Sequence, residues 1–386
     1  MSLKHRLYLA PGFFGFANLG ELVYFGHVRD FLSAEFARRN VPAEVHVVPS
    51  HPTASIRVRA RDLHATIEQT AQGDDGPLHL IGHSTGGLDA RLLLTPNVSL
   101  GEGLDVEPYA RRVRSLVCVA TPHHGTPLAG FFASILGAKM LGLLSLFTVY
   151  SLRYGRLPMS ALFRIVGALV RADDRLGWKA TLVDQLFAQL LSDFSRDRRE
   201  ALVTFLAQVS NDQSLVTQLA LETMDLFNAG TVDRPGVRYG CVVTSARLPS
   251  MRSRVSAGMS PYAQLTYQLY SFLHGKASAF PEARRPRLTL EQLDRLRDRT
   301  GALPELRSSD GIVATWSQIW GEVIASVRAD HLDVIGHFDD PGHTPPHVDW
   351  LLSNSGFRRP QFEAVWRAVA DFSLRPPIVQ GRHDVF

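Results

Sequence analysis

The 386-residue sequence predicts an α/β fold: a mainly parallel sheet with helices on both faces and an inserted helical cap. Three observations carry that expectation. Short apolar runs alternate with stretches whose apolar residues recur at steps of three and four. The stretch from about Leu128 to Met224 breaks this rhythm, being rich in Leu and Phe, helical in spacing and without a convincing strand. With 45% hydrophobic and 20% charged residues, the chain has the composition of a packed globular protein, and its length suffices for a sizeable core.

Taken in order, Leu7 to Ala10 reads as the first strand. After a Gly- and Phe-rich turn, Leu22 to Arg39 reads as a helix with Phe25, Val28, Phe31, Leu32 and Phe36 on its apolar stripe. Val45 to Val48 is the next strand. Pro52 and Thr53 open a helix that buries Ile56, Leu63 and Ile67, and Gly73 to Pro77 closes it. Leu78 to Ile81 is strand again, then a glycine-rich turn and a helix through Leu94, then a strand at Ser115 to Ala120. Beyond the insertion the rhythm resumes at Val237 to Thr244. A long polar, Pro-containing stretch follows, then strand-like Val323 to Val327 and a closing helix from about Gln361 to Phe372. The division expected is a core in two parts, 1–127 and 226–386, separated by a cap over 128–225.

Composition excludes several classes. The net charge of +4 comes with scattered Arg pairs flanked by acids or prolines, which is solvated surface and no nucleic-acid stripe. The two cysteines, Cys118 and Cys241, each lie in a buried strand-like run and read as inert core thiols, which excludes a disulfide framework. No apolar leader segment follows Met1 to Arg6, so a cytoplasmic location is expected, and a secreted form lacking its leader would look the same.

The chemistry is expected where the strands stop. In Leu78-His79-Leu80-Ile81-Gly82-His83-Ser84-Thr85-Gly86-Gly87 a buried strand runs through a G-x-S-x-G turn into a helix, the context in which that motif acts as a nucleophile elbow. A phosphate cradle is the competing reading, but it needs Gly-Lys-Ser/Thr, and no such tripeptide occurs. A serine hydroxyl needs a base to take its proton and an acid to fix that base. Chain order at such an elbow is serine, acid, histidine, which selects Asp310 in Ser308-Ser309-Asp310-Gly311-Ile312-Val313 and His331 in Ala329-Asp330-His331-Leu332-Asp333. Taken singly, Asp310 is also a turn-forming Asp-Gly and His331 a loop histidine.

Together these residues resemble the bacterial triacylglycerol lipases of the α/β-hydrolase superfamily. Pro11-Gly12-Phe13-Phe14-Gly15 is similar to the family's first turn, Gly82 to Gly87 to its elbow, and Thr121-Pro122-His123-His124-Gly125 to the end of its next strand. Phe227-Asn228-Ala229 leading into Pro235 to Tyr239, Asp310 to Val313, and His331 to Asp333 extend the likeness to about His337, without the insertion. The resemblance implies Ser84 as nucleophile, His331 as base and then acid, and Asp310 as its orienting carboxylate. It also implies an oxyanion hole from the backbone N–H groups of Phe13 and Thr85. Pro11 departs from the family's histidine before Gly12. One branch binds calcium through the Asp of His-Leu-Asp and a Gln four residues on; here Asp333 is followed by His337, which leaves Asp333 as a weak calcium candidate and no cofactor as the expectation.

His337, Asp339, Asp340, His343, His347 and Asp349 have ligand chemistry for zinc, but Pro341, Gly342, Pro345 and Pro346 make the stretch an irregular loop without helical ligand spacing. Phe131 to Leu152 is too apolar for an ordinary surface helix and must be covered by the protein's core, by a bilayer or by an acyl chain. Its position beside the elbow favours a lid or acyl pocket, with Phe14, Leu128, Phe131, Leu143 and Phe147 expected to bind substrate. The reading is therefore a serine hydrolase of apolar acyl esters, with a lipid-like substrate, transient contact with a lipid interface and no nucleic-acid partner. An acyltransferase or a short-ester or polyester carboxylesterase on the same fold, and a non-catalytic membrane-attached scaffold, are the alternatives.

Overall fold

The computed structural model describes residues 3–13, 24–133, 144–146, 150, 158–162, 190–191, 193, 195–297, 302–344, 346–347, 349 and 351–378. Within them one sheet of six strands, all parallel, is formed by β1 (His5–Ala10), β2 (Ala43–Val47), β3 (Leu78–His83), β4 (Val113–Val119), β5 (Arg238–Thr244) and β6 (Glu322–Val327). Their spatial order is β2-β1-β3-β4-β5-β6. Every residue of β3 is buried, as a central strand covered on both faces requires.

The side-chain period of two divides the core. Leu7, Leu9 and Ile81 face one layer with Val28, Leu32 and Phe36 of α1 (Gly26–Arg38). Tyr8, Leu78 and Leu80 face the other, with Ala60, Leu63 and Ile67 of α2 (Ile56–Ala71) and Ala90, Leu93 and Leu94 of α3 (Gly86–Leu94). Ser55 caps α2 by accepting the Val58 N–H at 3.3 Å, so the helix starts three residues beyond the Pro52-Thr53 pair that was expected to open it.

Between β4 and β5 the described residues form helices α4 (Leu128–Phe132), α5 (Arg196–Asn211), α6 (Ser214–Gln218) and α7 (Leu221–Gly230) and no strand. Of the apolar segment 131–152, Leu144, Leu146 and Tyr150 are buried in the same core layer as α1, and Leu143 and Phe147 lie outside the described residues. No helix among the described residues is long and apolar enough to cross a membrane.

After β5 comes a helix that the sequence reading passed over, α8 (Pro261–Ala277), capped by the Ser260 hydroxyl and burying Leu265, Leu269 and Leu273. The chain returns through β6 to α9 (Arg359–Ser373), whose Phe362, Val365, Trp366 and Val369 pack in the layer of α1. Cys118 and Cys241 are partners in register across β4 and β5, both reduced and buried. Burial pushes the Cys241 thiol up to about 12 and Cys118 higher still, so neither is a nucleophile at neutral pH.

Candidate active site

Strand β3 ends by handing Ser84 a backbone that few residues adopt: its φ is +53°, in the left-handed region, while its N–H still bonds Val119 O at 2.8 Å. The strain lifts the side chain off the sheet. At position 86 only glycine fits, because a Cβ there would collide with the carbonyl oxygen of Ala10. Thr85 then caps α3, and among the described residues nothing accepts its backbone N–H. A Cβ on Gly12 would come within 2.6 Å of Ser84 Cβ and 3.2 Å of Ser84 Oγ, so the turn after β1 lies directly against the serine.

A serine on the sharp strand-to-helix turn of a central parallel strand, with helices on both faces of the sheet, decides the architecture. This is an α/β-hydrolase fold. Comparison with protein-family models and with curated proteins finds no match. Among solved structures the chain is similar to EstA from Clostridium botulinum, at 18% identity over 92% of this chain and 86% of that one, with a TM-score of 0.49. It is also similar to lipase 1 from Pelosinus fermentans, at 17% identity over 92% and 98% with a TM-score of 0.48, and to the Staphylococcus hyicus lipase, at 14% identity over 96% and 95% with a TM-score of 0.49. None of these likenesses assigns a role to a residue of this chain.

His331, on the loop after β6, meets Asp310, in the turn closed by the Ser309–Ala314 bridge: Nδ1 lies 2.8 Å from Asp310 Oδ2. Asp310 is fully buried, and its Oδ1 accepts the backbone N–H groups of Ile312 at 3.0 Å and Val313 at 2.7 Å. Its Oδ2 also accepts Thr244 Oγ1 at 2.8 Å and Gln318 Nε2 at 3.2 Å. A carboxylate that only accepts fits that set of donors, and it fixes the His331 proton on Nδ1, leaving the Nε2 lone pair available. No hydrogen bond joins Ser84 Oγ to that nitrogen among the described residues, a contact that in such sites commonly tightens only with substrate.

What holds these parts together is a chain of hydrogen bonds that sequence reasoning did not anticipate. His83, next to the serine, is buried; burial first, and the nearby His331 ring second, hold it well below the ordinary histidine range, so it is neutral. Its Nε2 donates to the His331 carbonyl at 2.9 Å, since a carbonyl can only accept. Nδ1 therefore accepts, and the Tyr24 hydroxyl donates to it at 2.6 Å. The Tyr24 hydroxyl also lies against the turn after β1, since a Cβ on Gly12 would come within 3.0 Å of it. Thus Tyr24 and His83 link the turn carrying Phe13 to the loop carrying His331.

A second tie anchors the turn at Pro11. Arg59, with no exposed surface, donates to Pro11 O at 2.6 Å and to His51 O at 2.5 Å, and pairs with Asp89 of α3 at 2.9 Å. Burial pushes the Asp89 carboxyl up to about 7 against the pull of Arg59. His83 could have been singled out from its place in the motif; Tyr24, Arg59, Thr244 and Gln318 carry no sequence signal that separates them from core residues.

Beside Ser84 lies a narrow apolar pocket with about 50 Å³ of free space. Phe13, Thr85, Leu128, Ala129, Phe132, Leu144, Val216, Leu219 and Ile312 are among the residues lining it. Leu128, expected to bind substrate, lines the pocket, as does Phe13, whose backbone N–H was expected in the oxyanion hole. Phe131 is not a lining residue: its ring packs on Phe132 and Phe272, each at 5.3 Å, and Phe132 faces the pocket in its place. Phe14, Leu143 and Phe147 lie outside the described residues. His123 and His124 turn away from the pocket to Trp320, with ring centroids at 5.5 and 6.3 Å.

The calcium candidate Asp333 is already engaged. Its Oδ2 accepts the Asp330 N–H at 2.8 Å and Ser355 Oγ at 2.7 Å, and Asp330 spends its oxygens on Leu332, Asp333 and Ser353. Calcium takes six or more oxygen ligands. Among the described residues the acids here do not converge as a ligand set, so the residues do not fit that ion.

Proposed function

We propose that this α/β hydrolase is a serine carboxylic-ester hydrolase of the lipase type, cleaving esters of apolar acyl chains through Ser84, His331 and Asp310. The observation that carries the reading is the 2.8 Å bond between His331 and the fully buried Asp310, in a site whose strained Ser84 opens onto an apolar pocket. The acyl chain enters beside Leu128, Ala129 and Leu144, which presents the ester carbonyl to Ser84 Oγ. As the C–O bond to the serine forms, the hydroxyl proton passes to His331 Nε2, and Asp310 stabilises the imidazolium. The oxyanion is held by the N–H groups of Phe13 and Thr85. His331 then gives its proton to the leaving alkoxide, water repeats the sequence on the acyl-enzyme, and the free acid departs.

Turnover of a series of p-nitrophenyl esters of rising chain length tests this. Release of p-nitrophenol by the wild-type protein, abolished in Ser84→Ala, is the expected result. Transfer of the acyl group to an added alcohol in preference to water would move the protein to the acyltransferases, and no release with any ester would overturn the reading.

A further inference from the structure

Away from the pocket, helix α1 and the loop that follows His331 bring three imidazoles together. His27 stands in the first turn of α1, and His343 and His347 on the loop; one ligand nitrogen from each lies within 4.8 Å of the others. His27 stacks on His347 with centroids 3.6 Å apart, and His343 closes the group at 5.6 and 4.8 Å. We propose that His27, His343 and His347 bind a divalent transition-metal ion of the zinc class, which fastens α1 to the loop carrying the catalytic histidine.

Two features make this a built site. The Nδ1–H of buried His347 donates to Gly336 O at 2.7 Å, which fixes its tautomer and leaves Nε2 as a lone-pair donor. Zinc-binding histidines are oriented by hydrogen bonds of this kind from the second nitrogen. His27 is also pressed on the loop, since a Cβ on Gly336, at φ +109°, would come within 2.9 Å of His27 Cβ. The cluster borders a cavity of about 310 Å³ that also meets Asp30 and Glu363, which gives an ion a path from solvent.

The geometry needs one adjustment. Ligand nitrogens on one tetrahedral zinc are about 3.3 Å apart, from Zn–N bonds near 2.0 Å, so the rings must draw together and the stacked pair must splay. His343 and His27 are only partly buried and can turn. Water completes the coordination. The ligand set unites one residue from early in the chain with two of the six that the sequence reading grouped in the 337–349 loop, and excludes Asp339, Asp340 and Asp349.

Chelator-treated protein titrated with Zn²⁺, and with Co²⁺ as a spectroscopic reporter, tests the proposal. One equivalent should bind, the Co²⁺ adduct should show the intense visible bands of a four-coordinate site, and Zn²⁺ should raise Tm. His27→Ala and His343→Ala should each weaken binding by more than about tenfold, while the exposed-site control His51→Ala binds as wild type. Since these substitutions could disturb folding, the metal-free Tm of His343→Ala is measured alongside; it should match metal-free wild type while the Zn²⁺-induced rise is lost. Absence of stoichiometric binding, or binding unchanged in both His27→Ala and His343→Ala, would overturn the proposal.

Discussion

Asp310 is bound on both oxygens, and that makes its replacement by asparagine informative. Oδ1 must stay an oxygen to accept the Ile312 and Val313 N–H groups, so the new amide nitrogen falls where Oδ2 meets His331 and Gln318. His331 then loses its acceptor and its tautomer. Asp310→Asn should lower kcat by about 10⁴-fold and, by setting an NH₂ against the Gln318 donor, cost about 1–3 kcal/mol of stability. A kcat within tenfold of wild type would send the acid's role elsewhere. Tyr24→Phe removes one oxygen and leaves the buried His83 Nδ1 without its donor. It should reduce kcat by about tenfold, one lost hydrogen bond's worth, with KM little changed; a change in KM alone would place Tyr24 in substrate binding instead. Of these residues, the sequence exposed Ser84, Asp310 and His331 because each sits in a short pattern with its own turn chemistry. Tyr24 and Gln318 reach the site only through the fold, and no local pattern marks them.

At the scale of elements, the strands were legible because a parallel strand covered on both faces is a near-continuous apolar run, as in Leu7 to Ala10 and, interrupted only by His79, Leu78 to Ile81. Helix α8 was missed although Ser260-Pro261 opens it with a cap and a first-turn proline and Leu265, Leu269 and Leu273 repeat at steps of four. Its Thr, Tyr, Gln and Ser residues lower the apolar contrast that reveals a stripe, and four of its buried residues are polar or aromatic-polar: Thr266, Tyr267, Tyr270 and His274. Helix α4 places Ala129 on the pocket wall, where a larger side chain would fill the free space. Ala129→Leu adds three carbons to a pocket with about 50 Å³ free. It should cut kcat/KM for long-chain esters at least about tenfold, since each methylene denied burial forfeits about 0.8 kcal/mol, and leave acetate esters nearly unaffected. An equal fall for short and long chains would mean that the chain binds elsewhere.

The whole molecule carries an unusual load of buried imidazole. Among the described residues His27, His79, His83, His123, His124, His274 and His337 are all held below the ordinary histidine range, chiefly by burial, His79 and His337 to about 3 and His27, His124 and His274 to about 4. The unfolded chain protonates these groups near pH 6.5 and the folded chain does not, so their contribution is intact above 6.5 and is lost as pH falls towards 4. The buried aspartates work in the opposite sense: Asp89 at about 7, Asp330 at about 6, and Asp333 and Asp349, both raised, favour the folded state as pH falls. The imidazoles outnumber them, each contributing up to about 1.4 kcal/mol per pH unit, so Tm should drop between pH 6.5 and 4. A Tm that holds or rises over that interval would show that the aspartates prevail. Such coupling belongs to the assembled core, and neither composition nor pattern announces which of the fifteen histidines end up inside.

The central claim is that the fold makes one serine reactive, and a fluorophosphonate probe reads that most directly, since it reacts with a base-activated serine and leaves ordinary hydroxyls alone. The native protein is labelled, digested, and the modified peptide sequenced by mass spectrometry. The account predicts a single adduct on Ser84, absent in Ser84→Ala and strongly slowed in His331→Ala. Labelling that persists in Ser84→Ala, or a native protein that the probe leaves untouched, would contradict it.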